Sequence, residues 1–151
     1  MHASALTLDA HADIEIPGKP SSYVGSDGLS KVAPEKMRAG GLDAVVMALA
    51  VGPMPRNTDG YAAAKALAQT KLEAVNTLVE DSANNTVIAL STEELIAAHN
   101  MGKSALILGF QNALILGIDV SGIDALYKSG VRVFALTHMG HNDFADSSRT
   151  L

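Results

Sequence analysis

Cysteine and tryptophan are absent from the 151 residues, and aromatic side chains make up only 4% of them. The lack of cysteine excludes disulfides, thiolate nucleophiles and thiolate metal sites, so any metal ion must be bound through His, Asp, Glu or carbonyl oxygen. Few aromatic residues and abundant alanine fit helices packed on a sheet through small side chains better than an aromatic-rich β-sandwich.

Long apolar runs are also missing. Segments 42–51 and 105–110 are far shorter than the roughly 18 to 20 residues that span a bilayer. The first residues contain no basic region followed by an apolar core, which a secretory signal requires. These absences predict a protein without a membrane span, located in the cytoplasm if Met1 is the true start.

No block of like charges occurs, and 16 acidic residues against 11 basic ones give a formal net charge of -5. A surface that follows nucleic-acid phosphates needs clustered Lys and Arg, so we expect no nucleic-acid partner. No strand is followed by GxGxxG or a phosphate loop, which argues against a nucleotide-binding domain. The chain is too short for a complete eight-stranded α/β barrel, which takes about 250 residues.

Continuous apolar segments dominate what is present. Segments 42–51 and 104–110 are apolar almost throughout, which is typical of parallel strands covered on both faces. Ser91 and Glu94 form a capping box at the start of a helix. Further strands are predicted at 5–10, 86–90 and 131–137, and helices at 34–39, 59–80, 92–100 and 119–129. This alternation predicts a parallel α/β sheet, whose functional side chains collect at the carboxyl ends of its strands.

Polar side chains follow the first predicted strand. His11 and Asp13 are two residues apart, so in an extended segment they point to the same side. An imidazole and a carboxylate are common ligands of zinc. Taken alone, the same spacing is explained more often by a capping Asp with an incidental His in a loop.

Gln111 and His138 each follow a later predicted strand. His138 begins the polar segment 138–143, which by itself is equally well explained as a loop with a helix N-cap. Its position favours a functional site, because His11, Asp13, Gln111 and His138 are all predicted at the same end of one sheet.

Four segments of the chain occur in a recognisable order and spacing. They are LDAHAD, KMRAGGLDAVVMALAV, ALILGFQNA and VRVFALTHMGHNDFADSS. In this pattern the chain resembles the amino-terminal portion of the renal (membrane) dipeptidase family of zinc peptidases, within the amidohydrolase-like barrel superfamily. The resemblance implies a parallel (β/α) barrel of TIM type, of which residues 1–151 form about the first half, as a single partial domain.

The resemblance also implies a metal-dependent dipeptidase, which cleaves dipeptides through metal-bound hydroxide on one or two zinc ions and often accepts a D-residue at the C-terminal position. His11 and Asp13 match the family's first-strand metal ligands. Gln111 stands where many members have a Glu that bridges two metals, and because an amide is a poorer ligand it puts the second zinc in doubt. His138 matches the histidine that binds the substrate carbonyl and stabilises the oxyanion.

The family takes further metal ligands from later strands, and this sequence stops before them. We therefore expect dipeptide hydrolysis by the complete protein and no activity from these 151 residues alone. Half a barrel leaves strand edges unpaired, which favours self-association into a homo-oligomer or aggregation. The alternative is a non-catalytic binding or scaffold relative that keeps the fold without the chemistry.

Overall fold

Parallel strands form one sheet in the computed structural model, which describes residues 5–149; the expectations on Met1 and on the end of the chain lie outside these residues. The strands are β1 (Leu8–Asp13), β2 (Ala44–Ala48), β3 (Thr86–Ile88), β4 (Ser104–Phe110) and β5 (Val131–Phe134). The helices are α1 (Pro34–Gly40), α2 (Thr58–Glu80), α3 (Thr92–Asn100) and α4 (Ile123–Lys128). Their alternation confirms the predicted α/β class.

The sheet is ordered around its two most apolar strands. β2 lies between β1 and β4, and all the pairings are parallel. The other edge of β4 is shared, because β3 pairs with its first residues and β5 with its last. Within residues 5–149, β1 has a neighbour on one side only, and so does β5. The sheet is therefore open rather than closed into a barrel.

The two faces of the sheet are covered differently. The buried residues of α2 are Gly60, Ala64, Ala68 and Val75. They pack on one face, together with apolar side chains such as Val45 and Leu108. The opposite face, called the inner face below, has small residues such as Ala44 and Ala105, against which α3 packs through Ala98. Small side chains on both partners let these helices lie close to the sheet.

Most predicted elements lie close to their expected positions, and β4 has the predicted bounds. The first strand was predicted at 5–10, but β1 runs from Leu8 to Asp13 because its polar end still pairs with β2. The predicted helix 119–129 is interrupted: Asp119 caps a short 3-10 turn, and α4 begins only at Ile123. None of the helices within residues 5–149 is both long and apolar enough to cross a membrane.

Candidate functional site

A β-bulge in β1 turns Asp13 toward the inner face of the sheet. The pairing of β1 with β2 shifts by one residue between Asp9 and Ala12. Asp13 therefore pairs with Ala48 instead of Leu49, which packs in the core on the α2 side. Bulges commonly re-aim a side chain next to a functional site. The extra residue thus decides which face of the sheet carries the carboxylate.

His11 and Gln111 both contact Asp13. His11 Nε2 lies 3.3 Å from Asp13 Oδ1, and the Gln111 amide donates a hydrogen bond from Nε2 to the same oxygen at 3.3 Å. The Asp13 side chain is 16% exposed, whereas that of His11 is 51% exposed. The structure thus brings together three of the residues that the sequence places at one end of the sheet.

A buried pair of asparagines holds the loop that contains His138. Asn142 Nδ2 donates to Asn112 Oδ1 at 2.9 Å and to the Leu136 carbonyl at 2.7 Å. Asn112 Nδ2 donates to the Met139 carbonyl at 3.1 Å. Both asparagines are buried, with 1% and 3% of Asn112 and Asn142 exposed. The backbone is therefore fixed on both sides of His138.

A glycine allows this loop to pass close to the segment that follows β2. Gly140 has a φ of +84°, and a Cβ built on it would lie 3.0 Å from side-chain atoms of Pro53. Both the left-handed backbone and the close approach favour glycine at this position. Ser147 adds a further hydrogen bond, from its hydroxyl to the His138 carbonyl at 2.9 Å.

The site residues line a cavity of about 320 Å³ at the carboxyl ends of the strands. Among its lining residues are Asp13, Tyr23, Lys71, Gln111 and His138. His11 instead borders a neighbouring cavity of about 210 Å³, which shares Asp13 and Tyr23 with the first. His138 lines the same cavity as Asp13 and Gln111 but makes no hydrogen bond to either.

The donor set fits part of a metal site. His11 and Asp13 offer an imidazole nitrogen and a carboxylate oxygen, both suited to zinc. Gln111 turns its NH2 group toward Asp13, so its amide does not present an oxygen there. In the part of the chain that the structure describes, no group of three or more His, Asp or Glu side chains could hold a metal ion. The residues present fit two ligands of one dication and leave its coordination incomplete.

A family model described as membrane dipeptidase, peptidase family M19, matches residues 1–151. The chain belongs to this family. The match covers the whole sequence and so confirms the resemblance carried by the four segments, three of which contain His11, Gln111 or His138.

Solved structures show the same fold in longer proteins. The probable dipeptidase PvdM from Pseudomonas aeruginosa is 28% identical, with a TM-score of 0.80, and the match covers 99% of this chain and 39% of that one. A second match is a metallo peptidase from Rhodobacter sphaeroides, liganded with a phosphinate mimic of the dipeptide L-Ala-D-Ala. It is 14% identical, with a TM-score of 0.69, and the match covers 91% of this chain and 46% of that one. This membrane dipeptidase family member therefore spans less than half the length of these relatives.

These structural matches confirm that the sheet is an open part of the TIM-type barrel. The dipeptidase AC, a metallo peptidase, matches with a TM-score of 0.72 at 15% identity, over 91% of this chain and 44% of that one. No curated protein matches the chain significantly.

One charged cavity residue of this dipeptidase family member is marked by no motif. Lys71 lies on α2 between Ala68 and Val75, which are both buried against the sheet. Burial lowers the pKa of Lys71, and the nearby carboxylates of Asp13 and Glu15 act in the opposite direction. A lysine within an otherwise apolar stripe of a helix is the sequence signal that identifies it.

A second polar cluster joins two loops beside the cavity. Arg56 Nη2 donates to Asp143 Oδ1 at 2.8 Å, and the Tyr61 hydroxyl donates to Asp143 Oδ2 at 2.7 Å. The hydrogen bonds from Arg56 and Tyr61 hold the pKa of Asp143 below its ordinary value, and the one to Asp143 raises the pKa of Tyr61. Asp143 therefore ties the His138 loop to the start of α2 and does not line the cavity.

Proposed function

We propose that this chain provides part of the active site of a zinc-dependent dipeptidase that hydrolyses the peptide bond of dipeptides, including those with a C-terminal D-residue. The observation that carries the proposal is the convergence of Asp13, Gln111 and His138 on one cavity of a membrane dipeptidase fold. Active sites of TIM-type barrels lie at this end of the strands. The dipeptide mimic held by the Rhodobacter sphaeroides relative supports the substrate class.

His11 and Asp13 are the proposed zinc ligands. When bound there, zinc supplies Lewis-acid polarisation of the peptide carbonyl and lowers the pKa of a bound water to about 7. The two side chains are already neighbours, with His11 Nε2 3.3 Å from Asp13 Oδ1. Gln111 orients the Asp13 carboxylate through its hydrogen bond. Because Gln111 is neutral, it would offer no charged oxygen ligand to a second zinc ion.

His138 is the proposed substrate-binding and catalytic residue. It is exposed and lines the cavity, while its loop is fixed by the Asn112 and Asn142 pair. A fixed imidazole can donate a hydrogen bond to the carbonyl oxygen as negative charge develops on it. Removal of one such donor costs about 3 kcal/mol of transition-state stabilisation in well-measured enzymes.

We propose that residues 1–151 are a single partial domain, which does not turn over substrate alone. The support is the coverage of only 39% of PvdM, together with the two-ligand donor set of His11 and Asp13 within residues 5–149. The proton transfer that a peptidase needs also has no carboxylic acid assigned to it here. The remaining groups would come from the complete protein.

The metal assignment is tested by zinc binding. Equilibrium dialysis of the purified chain with elemental analysis should detect zinc, and His11→Ala should weaken its binding at least about tenfold because one of two side-chain ligands is lost. His141→Ala is the matched control, since His141 lines neither cavity. Zinc binding that is unchanged in His11→Ala would contradict the proposed site.

Turnover is tested with a panel of L,L and L,D dipeptides in the presence of zinc. We expect no hydrolysis by the 151 residues, and zinc-dependent hydrolysis by a longer protein that carries this chain. His138→Ala in that longer protein should lower kcat about a hundredfold with little change in zinc content. Metal-dependent hydrolysis by the isolated chain would contradict its proposed inactivity.

A non-catalytic binding or scaffold relative is the second candidate function. The neutral Gln111 and the incomplete donor set favour it. This function predicts that dipeptides bind the longer protein without zinc and are recovered uncleaved, which isothermal titration followed by mass spectrometry would detect.

The setting of the protein is part of the proposal. A dipeptide is its expected partner, and a cytoplasmic location is proposed with it. Fractionation of cells that express the protein under its own promoter tests the location. Self-association is proposed from the open edges of the sheet.

A further inference from the structure

Lys71 brings a positive charge to the cavity that Asp13, Gln111 and His138 line. It lies on the side of α2 that faces the sheet, three residues after Ala68, which is buried. A lysine at such a position loses hydration, and its long side chain leads the ammonium group out of the core toward the nearest polar space. That space is the cavity at the carboxyl ends of the strands.

The ammonium group has no close partner in the described part of the chain. Within residues 5–149, no carboxylate lies within 4.0 Å of Lys71 Nζ, and no hydrogen bond from it is formed. Burial lowers the pKa of Lys71, while the carboxylates of Asp13 and Glu15 favour its charged form from a longer distance. Lys71 therefore acts on Asp13 and Glu15 through its electric field and not through an ion pair or a hydrogen bond.

Gln111 contacts Asp13 without adding to the negative charge around it. Its amide donates to Asp13 Oδ1 and contributes no negative charge. A second dication beside Asp13 would meet the positive field of Lys71 and would find no second carboxylate at Gln111. Two positive charges repel strongly where water is partly excluded, and a dication doubles the effect.

We propose that Lys71 supplies the positive charge that a second metal ion would otherwise supply, so that a single divalent cation binds at Asp13, between the cavity and His11. This inference rests on the proposed zinc site. Lys71 and Gln111 then have complementary roles. The Lys71 ammonium group balances the negative charge of the carboxylates, and the Gln111 amide orients Asp13 without attracting another cation. Lys71 is a positioning residue in this scheme, because it acts on the metal ligand and not on the substrate.

The test is the stoichiometry and affinity of zinc, measured by calorimetric titration of the purified chain in metal-free buffer at neutral pH. The wild-type chain should bind one ion. Lys71→Met should bind it about tenfold more tightly, because one unit of repulsive charge is removed. Lys71→Arg, which keeps the charge, should behave as wild type, and so should Lys65→Met, since Lys65 is exposed on the same helix.

A second set of variants addresses the number of ions. Gln111→Glu alone should still bind one zinc ion, whereas Gln111→Glu combined with Lys71→Met should bind two. Lys71→Gln repeats the loss of charge with a polar side chain, so the comparison stands even if the methionine variant does not fold. Circular dichroism of each variant establishes that the fold is retained.

Several results would overturn the inference. One is the binding of two zinc ions by the wild-type chain. Another is zinc binding by both Lys71→Met and Lys71→Gln that is equal to or weaker than that of wild type. The last is no zinc binding by any variant up to about 1 mM zinc. Failure of the proposed function has a different signature, because zinc affinity would then be unaffected by His11→Ala. If His11→Ala loses zinc binding while the Lys71 variants bind zinc as wild type does, the zinc site is supported and only the role of Lys71 is rejected.

Discussion

At the scale of single residues, Asn142 holds together several parts of the loop around His138. Its side-chain oxygen accepts hydrogen bonds from the Phe144 and Ala145 amides, and its nitrogen donates to Asn112 and to the Leu136 carbonyl. Asn142→Ala leaves buried polar groups unpaired, so we expect a loss of about 2 kcal/mol of unfolding free energy. Urea unfolding followed by circular dichroism measures it.

The control for this substitution is Asn76→Ala, an exposed position on α2. It should leave the unfolding free energy within a few tenths of a kcal/mol of wild type. If Asn142→Ala were equally harmless, the asparagine pair would not be what fixes the His138 loop.

Convergence of the site residues is predictable from the sequence, and its details are not. Asp13, Gln111 and His138 follow apolar strands, and the carboxyl ends of parallel strands meet at one edge of a sheet. The bulge that points Asp13 inward depends on pairing with β2, which no local pattern reveals. The apolar stripe of α2 marks Lys71 as unusual, but Lys71 is distant in sequence from the other residues and the packing of α2 is what brings it to the cavity.

At the scale of elements, Asp43 joins three parts of the fold at the end of the sheet opposite the cavity. Its carboxylate accepts hydrogen bonds from the Thr7 amide at 2.7 Å and the Thr7 hydroxyl at 2.9 Å. The other oxygen lies 2.9 Å from His99 Nδ1, on α3. His99 has no functional motif around it, and the structure gives it this structural contact. The amino-terminal end of barrel strands is where residues serve stability rather than catalysis.

These contacts predict a pH dependence of stability. Burial would raise the pKa of Asp43, but the hydrogen bonds from Thr7 and His99 outweigh it, so the pKa is lower than its ordinary value. A carboxyl group with a lowered pKa in the folded state stabilises the fold above its unfolded pKa of about 3.9, and this contribution disappears as the pH falls through the folded pKa.

Asp43→Asn should therefore cost about 1 kcal/mol at neutral pH, where the carboxylate is charged, and progressively less below about pH 4. Chemical denaturation between neutral and acidic pH measures the difference from wild type. Glu80→Gln, an exposed carboxylate at the end of α2, is the control and should show no such trend. A difference that stays constant with pH would show that the Asp43 charge does not contribute.

The bounds of some elements follow from the local sequence, and the bounds of others depend on strand pairing. β4 is apolar throughout and was predicted with its observed bounds, because such a run has no other stable place than inside the sheet. β1 was placed too early, since the polar side chains of His11 and Asp13 indicate a loop while their backbone still pairs with β2. The Ser91 capping box marked the start of α3 correctly.

At the scale of the whole molecule, the open sheet leaves apolar residues uncovered. Leu8 on β1 is 47% exposed and Val133 on β5 is 41% exposed. They pair with Ala44 and Gly109, which lie on the inner face of the sheet. The short length of the chain predicts this incomplete barrel. The match covers only 39% of PvdM, whose length is sufficient for a complete barrel.

Unpaired strand edges with exposed apolar residues attract a second chain. We therefore expect the isolated chain to self-associate, with an apparent mass in sedimentation velocity that rises with concentration. Leu8→Glu combined with Val133→Glu should shift the protein toward monomer, because charged side chains on edge strands oppose strand pairing. Ile118→Glu is the matched control, since Ile118 is 73% exposed but lies in a turn outside the strands. Equal dissociation by the control would assign the association to general surface hydrophobicity, and a wild-type chain that stays monomeric at every concentration would refute it.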